Sequence, residues 1–529
     1  MKYSDVLFLG GFLPLTMLIY NLLPQKHRWK VLLIASYIFF WSISGKLLIY
    51  LIISTFIMYC FGLWFELNQK EKADILANTE KENKKTIKEK YQKNQRKILV
   101  YACLVQIGIL VVLKYSPFIG TNINSLFKTL KIPFELKISK FIVPIGISFY
   151  TLQAVSYMID VYKGKIVADK SLSRLALYMS FFPQIMEGPI CRYSETAEQL
   201  WQGNKITYNS LTLGIQRLLF GLMKKNIIAD RLNPLIISVF TGYAEYDGGI
   251  VALGMIGYTL QLYMDFSGTM DMVIGIGEIF GVKLPENFRQ PFFSKTISEF
   301  WTRWHITLGA WFRDYIFYPV SLTNRCKKIT TSLRKKIGNF YGPLVSSSIA
   351  LFCVWICNGL WHGEAWNYIF FGMYHFVLIL LGRIIEPLVK KVNEKLKINN
   401  QNWLYKGLQM IRTTILVLIG ELFFRAFGLQ AGFTMFKEMI TKFSFNLIGN
   451  GTFLKLGLDK GDFIIIAVTT IIVFITSILK EKGINIRERV SKKNIVIRWT
   501  LYFALIFMII IFGAYGEGYV PVDPMYAQF

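Results

Sequence analysis

The chain holds only four histidines in 529 residues, and two of them lie in one of its most apolar parts. His362 sits in NGLWHGEAW (358–366), which runs on from LFCVWIC and leads into YIFFGMYHF, the stretch that carries His375. His305 sits in SEFWTRWHITLGAWFRDYIFYPV (298–320). Imidazole is the side chain suited to take a proton near neutral pH, and an ionisable group placed at membrane depth is a functional hypothesis by default. The chemistry that fits is general-base catalysis on a hydroxyl, since an alcohol is a poor nucleophile until its proton leaves. Asn358, His305 or a backbone group would orient the ring or meet an oxyanion. The competing reading of any such histidine is a hydrogen-bonded core residue. His375 reads as structural or supporting, and His27, in PQKHRWK, as an interface residue.

Other ionisable residues inside apolar stretches are Asp265 in YMDFSG, Asp271 and Glu278 just beyond it, and Glu187 in MEGP. No HExxH, GxSxG or Walker pattern stands in a usable place, so hydrolase and ATPase readings have no support. The six cysteines (Cys60, Cys103, Cys191, Cys326, Cys353 and Cys357) include no CxxC pair, and no metal is expected.

The elements that must position these residues are set by composition. The chain is 53% hydrophobic, with a mean hydropathy of +0.40, and many apolar runs approach the roughly 20 residues that a helix needs to cross a bilayer. Candidate spans cover about 5–23, 29–42, 46–65, 97–116, 141–161, 174–190, 208–229, 249–264, 269–281, 343–361, 366–386, 407–428, 462–479 and 496–514. The first lacks a charged start and a cleavage site, and reads as a retained helix. VPIGISFYTLQ and FFPQIMEGPICRY are broken by Gly and Pro, which is tolerated at membrane depth only inside protein or along a cavity. The stretch 298–320 predicts one amphipathic interfacial helix, with Trp301, Trp304, His305, Leu308 and Tyr315 on its apolar face.

The net charge of +27 does not read as a nucleic-acid surface. Lys and Arg gather in short segments at 70–97, 324–336, 390–397 and 480–493. The positive-inside rule makes all four cytoplasmic, with both termini outside. No internal repeat of the kind transporters carry is visible.

The residues resemble a family. PIGISFYTLQAVSYMIDVYKG (144–164), FFPQIMEGPICRY (181–193), GLMKKNIIADRL (221–232), QLYMDFSGTMDMVIGIGEIFG (261–281), LPENFRQPF (284–292), FWTRWHITLGAWFRDYIFYP (300–319) and NGLWHGEAWNYIFFGMYH (358–375) are similar to the membrane-bound O-acyltransferases (MBOAT). The likeness is to the bacterial branch that O-acetylates alginate, cellulose and peptidoglycan. It implies an all-α polytopic fold, a ring of spanning and re-entrant helices around a funnel. It implies His362 as the catalytic residue and His305 as its partner across the funnel. The donor would be a cytoplasmic acyl thioester such as acetyl-CoA, with no permanently bound cofactor. Lys224, Lys225, Arg303 and Arg313 would face its phosphates, and Asn358 would be a further donor contact. The acceptor would be a polysaccharide beyond the cell (inner) membrane, reached through an SGNH-type partner.

Glu187 stands where this family has a small residue. It would either alter the funnel or pair with Arg192. The chain reads as one domain, 1–529, with a basic cytoplasmic segment at 66–97, an extracytoplasmic segment at 429–461 and a tail at 515–529. The segment 429–461 favours acetylation over the alternative of D-alanyl transfer from a carrier protein; a membrane transporter is the third reading. The resemblance also implies that Tyr526, in the tail GAYGEGYVPVDPMYAQF, carries the acyl group; the competing reading is an aromatic anchor. A single cysteine placed in 70–97 or 480–493 is expected to react with an impermeant thiol reagent only after cells are opened. Labelling of intact cells would reverse the assigned topology.

Overall fold

The computed structural model describes residues 1–515 and 519–522. Among these the secondary structure is helical, apart from one isolated bridge between Phe288 and Trp304. Seven helical stretches among the described residues are long and apolar enough to cross a membrane, and the chain is an all-α, multi-pass membrane protein. Internal contacts group the chain into two compact units, Met1–Gly214 with Val273–Pro285, and Ile215–Met272 with the described residues from Glu286 on.

The first unit is built on α1 (Gln25–Ser44), α2 (Leu48–Ala77), α3 (Lys84–Leu110) and α4 (Ile147–Tyr162). The basic stretch 70–97 is mostly helical. It is the end of α2 and the start of α3, joined across residues 78–83. The broken motif FFPQIMEGPICRY is irregular and buried. Side chains satisfy its backbone: Tyr3 Oη donates to Phe182 O at 2.7 Å, Tyr178 Oη to Cys191 O at 2.8 Å, and Phe182 N–H to Ser36 Oγ at 2.9 Å. Gly146 precedes α4 with φ +77°, and a Cβ there would stand 2.1 Å from Ile185 O. Only glycine fits that contact. Glu187 is fully buried in this packing, and Arg192 is buried at 8% exposure.

The second unit holds the histidines of interest. Two expected spans, 249–264 and 269–281, are one helix, α6 (Gly248–Ile279), which follows α5 (Asp230–Thr241) and belongs to this unit as far as Met272. The polar run Asp265–Ser267–Gly268–Asp271 looks like a break in the sequence because it interrupts the apolar pattern. Its charges are satisfied laterally. The π-helical turn Met223–Ala229 presents Lys224 to Asp271 Oδ2 at 2.5 Å and Lys225 to Asp265 Oδ1 at 2.6 Å. Arg217 adds a second partner to Asp271 at 3.0 Å. Close approach is possible because Gly221 and Gly268 face each other. A Cβ on either would meet the other's carbonyl oxygen, at 2.4 Å and 2.8 Å.

The predicted amphipathic helix over 298–320 is also corrected. It breaks into α7 (Ile297–Arg303) and α8 (Ile306–Phe312), then a π-turn at Arg313–Phe317 and one turn at Tyr318–Ser321. Trp304 is extended, pairing with Phe288, and His305 has φ +47°. Helical spacing is kept on either side, so the sequence pattern hides the break.

The basic stretch 324–336 likewise belongs to a helix, α9 (Asn324–His362). It folds back at Gly338, where φ is +85°. The Thr330 and Ser346 hydroxyls, sixteen residues apart, hydrogen-bond at 2.5 Å. In a straight helix they would be about 24 Å apart. Then come α10 (Trp366–Lys395), α11 (Trp403–Arg425), α12 (Leu429–Thr441), α13 (Lys460–Glu481) and α14 (Ile495–Phe512). The segment between α12 and α13 is tied down at Asp247, whose carboxylate accepts from Ser444 Oγ at 2.6 Å and Leu447 N–H at 3.4 Å.

Breaking a buried ion pair on one side leaves an uncompensated charge and costs on the order of 3–5 kcal/mol. Asp271→Leu is therefore expected to lower the thermal midpoint of the purified protein sharply. Lys224→Met/Asp271→Leu, which removes both charges and leaves Arg217 with Glu286, is expected to recover most of it. Equal midpoints for wild type and Asp271→Leu would show that the pair carries no stability.

Candidate active site

His362 is the last residue of α9, and α10 begins four residues later at Trp366. The turn between these helices is where the sequence places it. Two glycines bring the helices together: a Cβ on Gly359 would be 2.6 Å from Tyr368 O, and one on Gly372 would be 2.4 Å from Trp355 O. The imidazole is 5% exposed. Three aromatic rings meet it nearly edge-on, Trp361 at 5.0 Å, Phe424 at 5.1 Å and Phe371 at 5.9 Å between centroids.

His305 stands at the break between α7 and α8, in the left-handed region. A non-glycine residue there is strained, and such strain persists only where the surroundings over-determine it. Here the surroundings are the segment 287–289. Arg289 N–H donates to Arg303 O at 2.9 Å and Ile306 N–H to Asn287 O at 3.0 Å, so the backbone is clamped on both sides of His305. Phe266 packs edge-on to its ring at 4.8 Å.

Asn287 also sets the state of that ring. Its Oδ1 accepts from Thr307 N–H at 3.1 Å and from Thr307 Oγ1 at 3.0 Å. The atom facing Thr307 N–H has to be the amide oxygen. His305 Nδ1 lies 3.2 Å from the same oxygen and can approach it only as a donor. The proton of the neutral ring is therefore on Nδ1, and Nε2 carries the lone pair. A histidine so arranged can accept a proton at Nε2, or donate from it once protonated. Asn287 is fully buried. It lies in LPENFRQPF, a motif of the resemblance, yet nothing in the sequence singles out an asparagine in a connecting segment.

Trp361 joins the two histidines. Its ring is 5.5 Å from His305 and 5.0 Å from His362. A cavity of about 720 Å³ opens against this wall. His305 and Asn358 line it together with Trp301, Trp304, Leu308 and Trp355, and its polar edge includes Ser347, Ser348, Arg313 and Arg383. Asn358 lies one helical turn before His362, on the same face. Among the described residues its Oδ1 accepts no hydrogen bond. His362 does not itself line this cavity.

Of the four proposed phosphate contacts, three are buried in ion pairs. Lys224 and Lys225 are buried against Asp271 and Asp265, and Arg303 forms a two-pronged pair with Glu481, at 2.9–3.0 Å, and a further bond to Glu299 at 2.8 Å. Arg313 lines the cavity with an exposed side chain, and its Nε donates to the neighbouring Asp314 at 3.3 Å. His375 is not part of this arrangement. It is fully buried in a cage formed by Trp301, Trp355, Phe371 and Tyr374. Tyr526 lies outside the described residues.

The sequence profile of the MBOAT, membrane-bound O-acyltransferase family matches residues 165–333, which include His305 and Asn287. A probable alginate O-acetylase from Pseudomonas aeruginosa strain PAO1 is 31% identical over 443 residues, 83% of this chain and 75% of the relative. The chain belongs to the membrane-bound O-acyltransferase family. It is similar also to a peptidoglycan O-acetyltransferase from Helicobacter pylori strain 26695, 29% identical over 65% of this chain and 64% of that one. A teichoic acid D-alanyltransferase from Bacillus subtilis strain 168 is 32% identical over 54% of this chain and 67% of that one. As a membrane-bound O-acyltransferase, the protein has to bring an acyl donor and an oxygen nucleophile together away from bulk water. His305 and Asn358 line the cavity, and His362 lies one turn beyond Asn358 against Trp361.

General acid–base groups contribute about 10²–10⁴-fold to rate. Asn287→Leu, which removes the acceptor for His305 Nδ1, is expected to lower acyl transfer about tenfold or more, whereas Asn287→Asp keeps an oxygen there and is expected to retain more activity. The pH–rate profile should also move in Asn287→Leu. Identical rates and profiles for all three proteins would remove Asn287 from the site.

Proposed function

We propose that this acyltransferase moves an acetyl group from a cytoplasmic thioester, acetyl-CoA or a similar donor, across the bacterial cytoplasmic membrane for O-acetylation of an extracellular or cell-wall polysaccharide. The observation that carries this reading is the pairing of His362 and His305 about Trp361, beside a cavity large enough for the reacting end of a thioester. The match to a probable alginate O-acetylase over most of the chain supports an acetyl donor and a polysaccharide acceptor.

In the proposed step His362 takes the proton of the acceptor hydroxyl. The oxygen adds to the thioester carbonyl, and the tetrahedral oxyanion is met by a donor from Asn358 or protonated His305. The carbon–sulfur bond then breaks, and the leaving thiolate recovers the proton from His362. The products are an ester and a free thiol, so atoms and protons balance. Arg313 is the exposed cation at the cavity that would hold the donor's phosphates. Lys224 and Lys225 contribute by shaping the wall.

The first acceptor in this reading is Tyr526, and its acetyl ester passes to an SGNH-type partner outside, which acylates the polymer. Both termini would then face outward, as the basic segments suggest. Splitting one transfer into two easier ones is the gain from a covalent intermediate, and the acyl group crosses without moving the coenzyme. D-alanyl transfer to teichoic acid from a carrier-protein thioester is the second reading. The likeness to the Bacillus subtilis enzyme supports it, though over a smaller share of the chain.

Cells fed labelled acetate are expected to place label in a wall or exopolysaccharide fraction only when the protein is present. His362→Ala should abolish this with membrane abundance unchanged, and His305→Ala should impair it strongly. Normal labelling by His362→Ala would sink the mechanism. Labelled D-alanine in place of acetate would shift the reading to teichoic acid. For the carrier, Tyr526→Phe should lose polymer acylation, and wild-type C-terminal peptide should carry an acetyl group that His362→Ala lacks. Full activity of Tyr526→Phe would leave the tail as an anchor.

A further inference from the structure

After α14, residues 519–522 have no secondary structure of their own, yet Tyr519, Val520 and Val522 are each hydrogen-bonded. Arg231 Nη2 donates to Phe512 O at 2.7 Å, at the very end of α14, and Arg231 Nη1 to Tyr519 Oη at 2.9 Å. The same guanidinium pairs with Asp462 and lies 5.1 Å over the Tyr519 ring. Tyr519 Oη in turn donates to Asp462 at 2.8 Å. Asn233 Nδ2 donates to Val520 O at 2.9 Å and Lys225 Nζ to Val522 O at 3.2 Å. Val522 N–H donates to Asp230 Oδ1 at 2.8 Å, and Ala514 N–H to Asn226 O at 3.0 Å.

Every group on the receiving side comes from one short stretch, Lys225 to Asn233, except Asp462 of α13. The π-helical turn is what lets that stretch work. Lys225 and Asp230 are five residues apart and meet at 3.4 Å, the spacing a π-turn brings round to one face and a regular α-helix does not. Lys225, Asp230 and Arg231 are buried, 4%, 4% and 5% exposed. Each is neutralised by a carboxylate or ammonium partner inside the unit, and each has a hydrogen-bonding position left over that goes to the chain end. Chain ends fray unless they are tied down, and an aromatic anchor at a membrane surface needs no buried charges to hold it.

We infer that Lys225, Asp230, Arg231, Asn233 and Asp462 form a latch that fixes Tyr519–Val522, and that they are positioning residues for the chain end in acyl transfer. From Val522 to Tyr526 is a tether of at most about 14 Å. The latch decides where that tether starts, and Lys224 and Lys225 side by side tie its anchorage to the α6 charges. The use made of the latch rests on the proposed carrier role of Tyr526; the latch itself rests on the contacts alone.

The test uses the full chain, purified in detergent, and chymotrypsin as probe. The variant is Tyr519→Phe/Asn233→Ala/Asp230→Ala, which leaves the Arg231–Asp462 and Lys225–Asp265 pairs intact; Tyr519→Phe alone, with every charge still paired, is the milder form. Release of the peptide starting at Val520 is followed by mass spectrometry. We expect release at least tenfold faster from the triple variant than from wild type, with an intermediate rate for Tyr519→Phe. The kcat of polymer acylation should fall at least tenfold with little change in donor KM. Release as slow from both variants as from wild type overturns the latch. Faster release with undiminished kcat overturns the positioning role. Tyr526→Phe separates the two readings. It should keep the slow release of wild type whether or not the carrier proposal stands, so loss of the carrier reading leaves the latch measured, and loss of the latch leaves Tyr526 to be judged by its own acetyl ester.

Discussion

The constraint on which the second unit depends is that charge in an apolar helical interior has to be answered from within. Asp265 and Asp271 stand on a long apolar helix, and neither has water to turn to. The π-turn at Met223–Ala229 supplies Lys224 and Lys225 side by side, one to each carboxylate. The arrangement needs backbone contact as close as Gly221 against Gly268 allows. A buried ion pair is weak evidence of stability by itself, because desolvation offsets most of the attraction. Its effect is on register. Sliding α6 by one residue would strand all four charges, so the pairs fix which side chains of α6 face which neighbour, Phe266 against His305 among them.

A second constraint follows at His305. Its backbone lies in a region that costs a residue with a Cβ about 1–3 kcal/mol. Two backbone hydrogen bonds and the Phe288–Trp304 bridge hold it there. The gain is orientation. A ring at the N-terminus of a short helix, with Nδ1 tied to Asn287, holds Nε2 in a defined place. Pre-organised polar groups do the most in catalysis because they need not reorient when charge develops. The opposite wall is set by packing of another kind. Gly359 and Gly372 let α9 and α10 approach, and Trp361, Phe371 and Phe424 leave the His362 ring little freedom to turn. One histidine is thus held by hydrogen bonds and the other by aromatic edges, with Trp361 touching both.

The same interior charges connect the site's supporting wall with the chain end. Lys225 answers Asp265 on one side and Val522 O on the other. A change at the tail therefore bears on the helix that packs Phe266 against His305, through one ammonium group.

Much of this was legible in the amino-acid sequence. Apolar runs of bilayer length, basic segments between them and two histidines in water-poor surroundings already define an all-α membrane protein with a candidate proton-transfer site, and the motifs around those histidines resemble the right family. His362 falls at a helix–helix turn, where the pattern places it, because Gly363 and the polar Glu364 interrupt the apolar run locally. The breaks in 298–320, the continuity of α6 and the fold-back at Gly338 were decided elsewhere. Helical spacing survives on both sides of His305, so periodicity cannot see a single residue turned into the left-handed region by a partner in another segment. The polar centre of α6 reads as an interruption until lysines forty residues or more away are brought beside it. The basic residues at 224, 225 and 303 look alike to any count of charge, and only their tertiary partners show that their hydrogen bonds are already made. Composition and local pattern determine what is buried; which buried polar group meets which is a long-range matter, and in an interior without water that pairing settles both the geometry and the chemistry.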